Sequence, residues 1–429
     1  MRMSIRNLLN ILKSSVARKN SFIADVLIIV SGSAFGQILT IIMTPALTRI
    51  YSPEHFGIFG VYMAFSTILA SVYTMRYEAA IPIPKSGKEA HALFLASLII
   101  STFFVGISLL VVLLYSEYLN EIFDFPSNAW LWVPLGAYSF AVVQSFSFFA
   151  IRTGAFSAIS ISKVVQGIST VVIQLVIGLY RISLGLLIGD LAGKLFAIGI
   201  YYIYARANFA LLPYSFTMSD ILRSAFRYWK FPVFSAISSM INRMGLQLPQ
   251  IFIASQFGAV EAGWFLLAQR ILGGPTTLLG QAISNVFINR IAKIRRDNPT
   301  HAVKYYLAVL YKLSLIGAMI LVASYILSYM IEMLFGPQWT GAGLVIRITG
   351  PMYATRFVFF PTSQILTIFE KQEWQFVWDL LRLILVLLAF AFSKAIGYGL
   401  EETLVLLASA SITAYLLLGI MTVKVLGNR

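Results

Sequence analysis

The chain is 429 residues long, 59% hydrophobic and only 11% charged, with a formal net charge of +15. A soluble domain carries about 25% charged residues, so this apolar excess cannot be hidden in one water-soluble core, and the chain reads as a polytopic membrane protein. Its basic residues lie between apolar runs rather than in one patch with interleaved aromatics, which argues against a nucleic-acid partner, and the absence of cysteine excludes disulfides, thiolate metal sites and cysteine nucleophiles.

In chain order, Met1 to Asn20 is basic, with Ile5, Leu8, Leu9, Leu12 and Val16 on one helical face. It reads as an amphipathic cytoplasmic arm on the membrane surface rather than a cleaved signal. Twelve apolar segments follow, near 24–47, 57–76, 92–115, 129–151, 164–180, 184–205, 231–254, 264–288, 305–335, 342–369, 374–393 and 403–423. Each approaches the roughly 20 residues that cross a bilayer as a helix. Gly350-Pro351 is the expected break in the tenth, because proline removes a helix donor. The longest outer connection, Ser116 to Asn128, carries Glu117, Glu121 and Asp124. Arg206 to Lys230 is the longest inner one and holds a short amphipathic piece with Asp220, Ile221, Leu222, Ala225 and Phe226.

Segments on one side of this layout hold 22 of the 32 Lys and Arg residues, and segments on the other hold three, Arg49, Arg181 and Lys394. That bias puts both termini in the cytoplasm. The expected architecture is an all-α integral membrane protein: a cytoplasmic arm (1–23), a six-helix bundle (24–205), a cytoplasmic linker (206–230), a second six-helix bundle (231–424) and a short tail (425–429).

The two bundles echo each other. Ile38 to Tyr62 and Phe231 to Arg270 both run from an apolar span through a proline (Pro45, Pro249) and a brief polar turn into a Gly-containing helix start. Gly57 aligns with Gly263 at an offset of 206, and Pro45 with Pro249 at 204. Internal symmetry of this kind recurs in transporters.

Seven basic residues fall inside the spans: Lys194, Arg243, Arg270, Lys312, Arg347, Arg356 and Arg382. Asp190 and Asp379 lie in spans too, with Glu332 toward an outer end and Asp25 and Glu78 at span edges. An ionised group at the bilayer centre costs about 2.5–3.5 kcal/mol on insertion scales, so each needs a partner, an interface or water. Asp190 and Lys194 are four apart and Asp379 and Arg382 three apart, spacings that permit structural ion pairs on one helix face. Lys312 and Arg270 lie close enough to span ends to snorkel. Arg243 has no nearby acid, and Arg347 and Arg356, nine apart, fall on opposite faces of an unbroken helix unless Gly350-Pro351 redirects one; a cationic cavity is the preferred account of the three. Arginine suits an anionic ligand because its planar fork bonds phosphate oxygens bidentately and stays protonated. Glu78, after Arg76, is either a proton- or cation-responsive carboxylate or the partner of an adjacent base, and Asp25 and Asp190 are alternative titratable candidates.

An enzyme is not expected. His55, His91 and His301 lie in connections without metal-ligand spacing, and phosphate-loop, dinucleotide and nucleophile-elbow motifs are absent. No cofactor or metal is expected. Ser31 to Gly36 (SGSAFG) reads as a small-residue helix face for close packing.

Three passages carry a family resemblance: TPALTRIYSPEHFGIFGVY (44–62) with RYEAAIPIPKS (76–86); YWKFPVF (228–234) with LPQIFIASQFGAVEAGWFLLAQRILGGPTTLLGQAISNVFINRIA (248–292); and LFGPQWTGAGLVIRITGP (334–351) with RFVFFPTSQIL (356–366). They resemble the polysaccharide transporter branch of the MOP flippases, and specifically Wzx-type O-antigen flippases. The resemblance implies a MOP/MATE-like pair of six-helix bundles in the bacterial inner membrane. It also implies alternating access and a cargo of undecaprenyl-pyrophosphate-linked oligosaccharide moved from the cytoplasmic to the periplasmic leaflet. Proton or cation coupling is suggested for some relatives. Membrane lipids and other polysaccharide-assembly proteins are the further partners expected. On this reading Arg243, Arg270, Arg347 and Arg356 attract the pyrophosphate and Arg49 at the outer mouth assists its exit. A MATE-type multidrug exporter, which should have an acidic cavity for cationic drugs, is the rival reading. A membrane glycan polymerase or ligase is a weaker one, since no large external loop is present.

Overall fold

The computed structural model describes residues 22–123, 125, 129–207, 217–297 and 301–427. The N-terminal arm of the sequence reading lies outside them, as do the side chain of Asp25 and the whole of Asp124. The described chain is helical: α1 (Phe22–Ile50), α2 (Pro53–Tyr73), α3 (Tyr77–Ala80), α4 (Gly87–Phe123), α5 (Trp132–Arg152), α6 (Phe156–Leu179), α7 (Gly185–Ala207) and α8 (Met218–Arg227). A π-helical turn, Phe231–Ala236, leads into α9 (Ile237–Phe257). Next come α10 (Ala259–Ala268), a second π turn at Gln269–Gly273, α11 (Gly274–Asp297), α12 (Ala302–Phe335), α13 (Thr340–Phe359), α14 (Ile365–Ile368), α15 (Gln372–Ile396) and α16 (Leu400–Gly427).

Among the described residues nine stretches are long and apolar enough to cross a membrane. Helices α9 and α13 are not among them. They carry Asn242, Arg243, Gln247 and Gln250, and Arg347 and Arg356, respectively. Their polarity already marks them as helices with a purpose other than facing lipid on all sides.

Local boundaries differ from the sequence reading in three places. Pro351 does not break α13, which is helical from Thr340 to Phe359; the interruption comes at the 3-10 turn Phe360–Thr362, where Pro361 lacks the N–H that would continue the helix. Helix α4 runs on through Ser116 to Phe123, so most of the expected outer loop is helix. Lys163, read as lying in a connection, sits in the second turn of α6.

Two compact units divide the chain: the described part of Met1–Met43 with Tyr62–Met240, and Thr44–Val61 with Ile241–Arg429. In the first unit, α1 and α6 pack through small residues. A Cβ on Gly167 would stand 2.7 Å from Gly36 Cα, and one on Gly36 would stand 3.0 Å from Lys163 O. The small-residue face at 31–36 is therefore spent on backbone approach. An aromatic core of Phe94, Phe146, Phe149 and Tyr201 joins α4, α5 and α7, with Phe94 and Phe149 centroids 5.0 Å apart.

In the second unit the repeat takes physical form. A Cβ on Gly57 would overlap the carbonyl oxygen of Ala259, and a Cβ on Gly263 would overlap that of Pro53. Pro53 and Ala259 differ by the same 206 positions as the two glycines. Two helix starts thus cross about a local two-fold, each glycine receiving the other helix's first turn. Beside this crossing the orphan carbonyl of Thr48, in the last turn of α1, accepts from Trp339 Nε1 at 3.0 Å and Gln338 Nε2 at 2.8 Å. Trp339 is fully buried and packs edge-on to Phe56.

A candidate anion site in the C-terminal unit

Six helices of the second unit, α9, α10, α11, α13, α15 and α16, together with the π turn after α10, line a cavity of 220 Å³. Gln247, Gln269, Thr277, Tyr353, Arg356, Arg382, Ser411 and Tyr415 supply its polar lining. Two guanidinium groups therefore face one space.

Arg382 is buried and faces the Trp378 ring, with its central carbon 4.8 Å from the ring centroid. Trp378 is itself held by a 2.8 Å bond from Nε1 to the Ala414 carbonyl. The Nη2 group of Arg382 donates to Asn242 O at 3.2 Å and reaches Asp379 Oδ1 at 3.5 Å. That carboxylate has a nearer partner, because Asn242 Nδ2 donates to Oδ1 at 2.7 Å, and Gln375 Nε2 donates to Oδ2 at 3.3 Å. Asp379 is thus shared among three donors, and Arg382 is only loosely neutralised. Its buried Nε has no hydrogen-bond partner. Gly245 makes room for it: a Cβ there would stand 3.2 Å from both Nε and Nη2. A buried donor without an acceptor costs about 1–3 kcal/mol, and more when charged, so an anionic acceptor in the cavity would relieve it.

Arg356 is half-buried, with its guanidinium 5.7 Å from the Phe360 centroid. It and Arg382 are the two in-span arginines brought to this cavity. The others go elsewhere. Arg243 is half-buried on α9. Arg270 sits in the π turn between Phe56 and Phe59, 5.1 Å from each ring centroid, which explains how a cation is accommodated there. Arg347 is exposed and lies 4.7 Å from the Tyr329 centroid and 5.9 Å from that of Tyr325. It projects away from the cavity. Arg49 is exposed at the end of α1.

In the first unit Lys194 Nζ lies 2.6 Å from Asp190 Oδ2, and Tyr62 donates to the same oxygen at 2.7 Å. All three are buried, and Lys194 also faces the rings of Tyr62 and Phe140. Gly136 clears the path for the Tyr62 ring. Every charge in this cluster has an opposite or polar partner, so it reads as a closed structural lock. Glu78, in the short helix α3, is buried beside Arg76 Nη1 at 3.3 Å. Burial pushes its carboxyl above the ordinary value, outweighing Thr74, Arg76 and two backbone N–H groups, which pull the other way. Arg76 and the preceding Met75 adopt left-handed backbone conformations, uncommon for non-glycine residues, which turn the carboxylate inward. Among the described residues no cluster of His, Asp or Glu could hold a metal ion.

Comparison with known proteins identifies the family. The model of the family described as polysaccharide biosynthesis protein matches residues 46–343, well over half of the chain. This chain belongs to the polysaccharide biosynthesis protein family. No curated protein matches its sequence. Its fold is similar to those of several solved membrane transporters. The lipid II flippase MurJ in an inward closed conformation is similar with a TM-score of 0.71 at 12% identity, over 91% of this chain and 86% of that one. An inward-facing multidrug resistance MATE family transporter of the MOP superfamily gives 0.60 at 14% identity, over 97% and 98%. The Vibrio cholerae MATE transporter VcmN gives 0.58 at 15%, over 97% and 98%.

For this polysaccharide biosynthesis protein, three features escaped the sequence reading. Arg382 looked like half of an ion pair because its i,i+3 acid is visible, whereas Asn242, which takes most of that acid, is 137 positions away. Tyr62 is 128 positions from Asp190. Both π turns flank the central stretch Phe231 to Arg270, and only Pro232 and the Gly273-Gly274 pair hint at them. Such turns are frequent at functional sites.

Proposed function

We propose that this polysaccharide biosynthesis protein is a flippase. Its cargo would be an undecaprenyl-pyrophosphate-linked oligosaccharide, such as an O-antigen repeat unit, moved from the cytoplasmic to the periplasmic leaflet of a bacterial inner membrane. The observation that carries the reading is the pair of guanidinium groups, Arg356 and Arg382, lining one cavity in a membrane protein of this family. Its volume lies below the roughly 300–1,000 Å³ of pockets that engulf drug-sized ligands. It suits a phosphate-sized anionic group. Weak neutralisation of Arg382 by Asp379 favours transient capture, since a site that held pyrophosphate too tightly would trap the cargo. Arg49, exposed at the end of α1, would assist release. The fold is shared with MATE transporters seen in inward-facing and outward-facing conformations, which supports alternating access as the mode of transport. Glu78 is the carboxylate left available for ion coupling, since Asp190 is engaged by Lys194 and Tyr62.

The test is translocation of a fluorescent lipid-linked oligosaccharide in proteoliposomes. Bonds from a charged group are worth about 1.5–3 kcal/mol, so Arg356→Gln and Arg382→Gln should each slow transport about tenfold or more. Wild-type rates in both variants would overturn the assignment. The MATE fold keeps multidrug export as a second reading, but a cationic cavity repels cationic drugs; drug efflux without oligosaccharide transport would decide for it.

A further inference from the structure

We propose that α8 is an anionic-lipid-binding helix, lying in the headgroup region of the leaflet on the Lys/Arg-rich side of the protein. The argument begins with its attachment. Helix α8 opens on a capping box, with Asp220 N bonded to Thr217 Oγ1 and Thr217 N to Asp220 Oδ2. Its polar side is then tied to the first turn of α4 by Lys88 to Asp220 at 3.0 Å and Arg227 to Glu89 at 2.8 Å. Tyr77, in the turn before α4, donates to the Ala225 carbonyl at 3.2 Å. Because α4 is a membrane span, a helix fastened to its first turn sits at the depth of the membrane surface.

The opposite face is left apolar. Met218, Leu222 and Phe226 recur every four residues and are 60%, 50% and 74% exposed, so among the described residues nothing covers them. This face continues through exposed Trp229 and Phe234 to exposed Ile237 at the start of α9, making one apolar strip. Tryptophan at such a junction matches the aromatic belts of membrane proteins. Water is a poor solvent for a strip of this kind, while an acyl-headgroup boundary takes an amphipathic helix with its apolar face down.

Charge selects the lipid. Asp220 and Glu89 are each matched by a base, so their pairs cancel. Arg223 and Lys230 are exposed and join no ion pair among the described residues. They give the strip an uncompensated charge at its edge, complementary to an anionic headgroup and indifferent to a zwitterionic one.

The cysteine-free chain permits a direct test on the full protein. Leu222→Cys, Phe226→Cys and Ser219→Cys would be nitroxide-labelled and reconstituted in vesicles of phosphatidylcholine alone or mixed with phosphatidylglycerol. Positions 222 and 226 should be more accessible to oxygen than to a soluble nickel chelate, and position 219 the reverse. Quenching of a bimane at 226 by brominated phosphatidylglycerol should exceed that by brominated phosphatidylcholine by about fivefold for each basic residue near the surface. Arg223→Gln with Lys230→Gln should abolish that preference while leaving the oxygen accessibility intact. Equal nickel accessibility at all three sites would overturn the interfacial placement. Equal quenching by the two lipids in the wild type would overturn the lipid selectivity. Neither readout depends on cargo transport.

Discussion

Replacing Gly57 or Gly263 with alanine tests whether the repeated crossing is a single packed contact. A methyl at either position must gain at least about 1 Å before it clears the carbonyl opposite. Backbone atoms of Ala259 and Pro53 lie in the way, so the strain cannot be relieved by rotating a side chain; the two helix starts must separate. Forcing a methyl group into a close-packed site costs typically about 1–3 kcal/mol. Separation also pulls Phe56 from Trp339 and loosens the donors on the Thr48 carbonyl. Each single variant should therefore lose about 3 kcal/mol, at the upper end of that range. Because one movement relieves both clashes, the double variant should lose little more than the worse single, leaving a coupling of nearly 3 kcal/mol, at the upper end of the range of about 0.5–3 kcal/mol for contacting residues. Apparent unfolding free energies of the purified protein in mixed micelles would measure this. Strict additivity, or wild-type stability in either single variant, would refute the reciprocal crossing.

Three further outcomes are expected. Asp190→Asn strands the buried Lys194 charge and should cost about 3–5 kcal/mol; adding Lys194→Met should recover most of it, and an additive double variant would show the pair is not closed. Burial holds the Glu78 carboxyl above its ordinary 4.5, so the folded chain takes up a proton there more readily than the unfolded chain. Its contribution to stability is best below pH 4.5 and declines as pH rises through the native value. Glu78→Gln should thus gain on the wild type as pH rises above 4.5, measured by unfolding across a pH series, and a pH-independent difference would refute the burial argument. Gly245→Ala places a methyl 3.2 Å from two nitrogens of Arg382; it should leave stability within about 1.5 kcal/mol yet slow transport severalfold, and unchanged transport would show that the Arg382 position is not used.

Composition and periodicity determine much of this protein. The bilayer tolerates few backbone solutions, so a 59% hydrophobic chain with apolar runs of about 20 residues becomes a set of helices. Pairs on one helix, such as Asp190 with Lys194, are legible because 3.6 residues per turn places them on the same face. The 206-residue offset likewise pointed to Gly57 and Gly263 as equivalent positions. What periodicity leaves open is which face meets which neighbour. Arg347 and Arg356 share a helix and a chemistry, yet one stands exposed against two tyrosines and the other lines the cavity. Helix α13 stays continuous through Pro351, which the local sequence does not signal. Asp379 is divided between a neighbour three residues away and an asparagine 137 away. Only tertiary structure decides such sharing, because the free energy of a buried charge depends on every donor within reach, and most of those donors come from elsewhere in the chain.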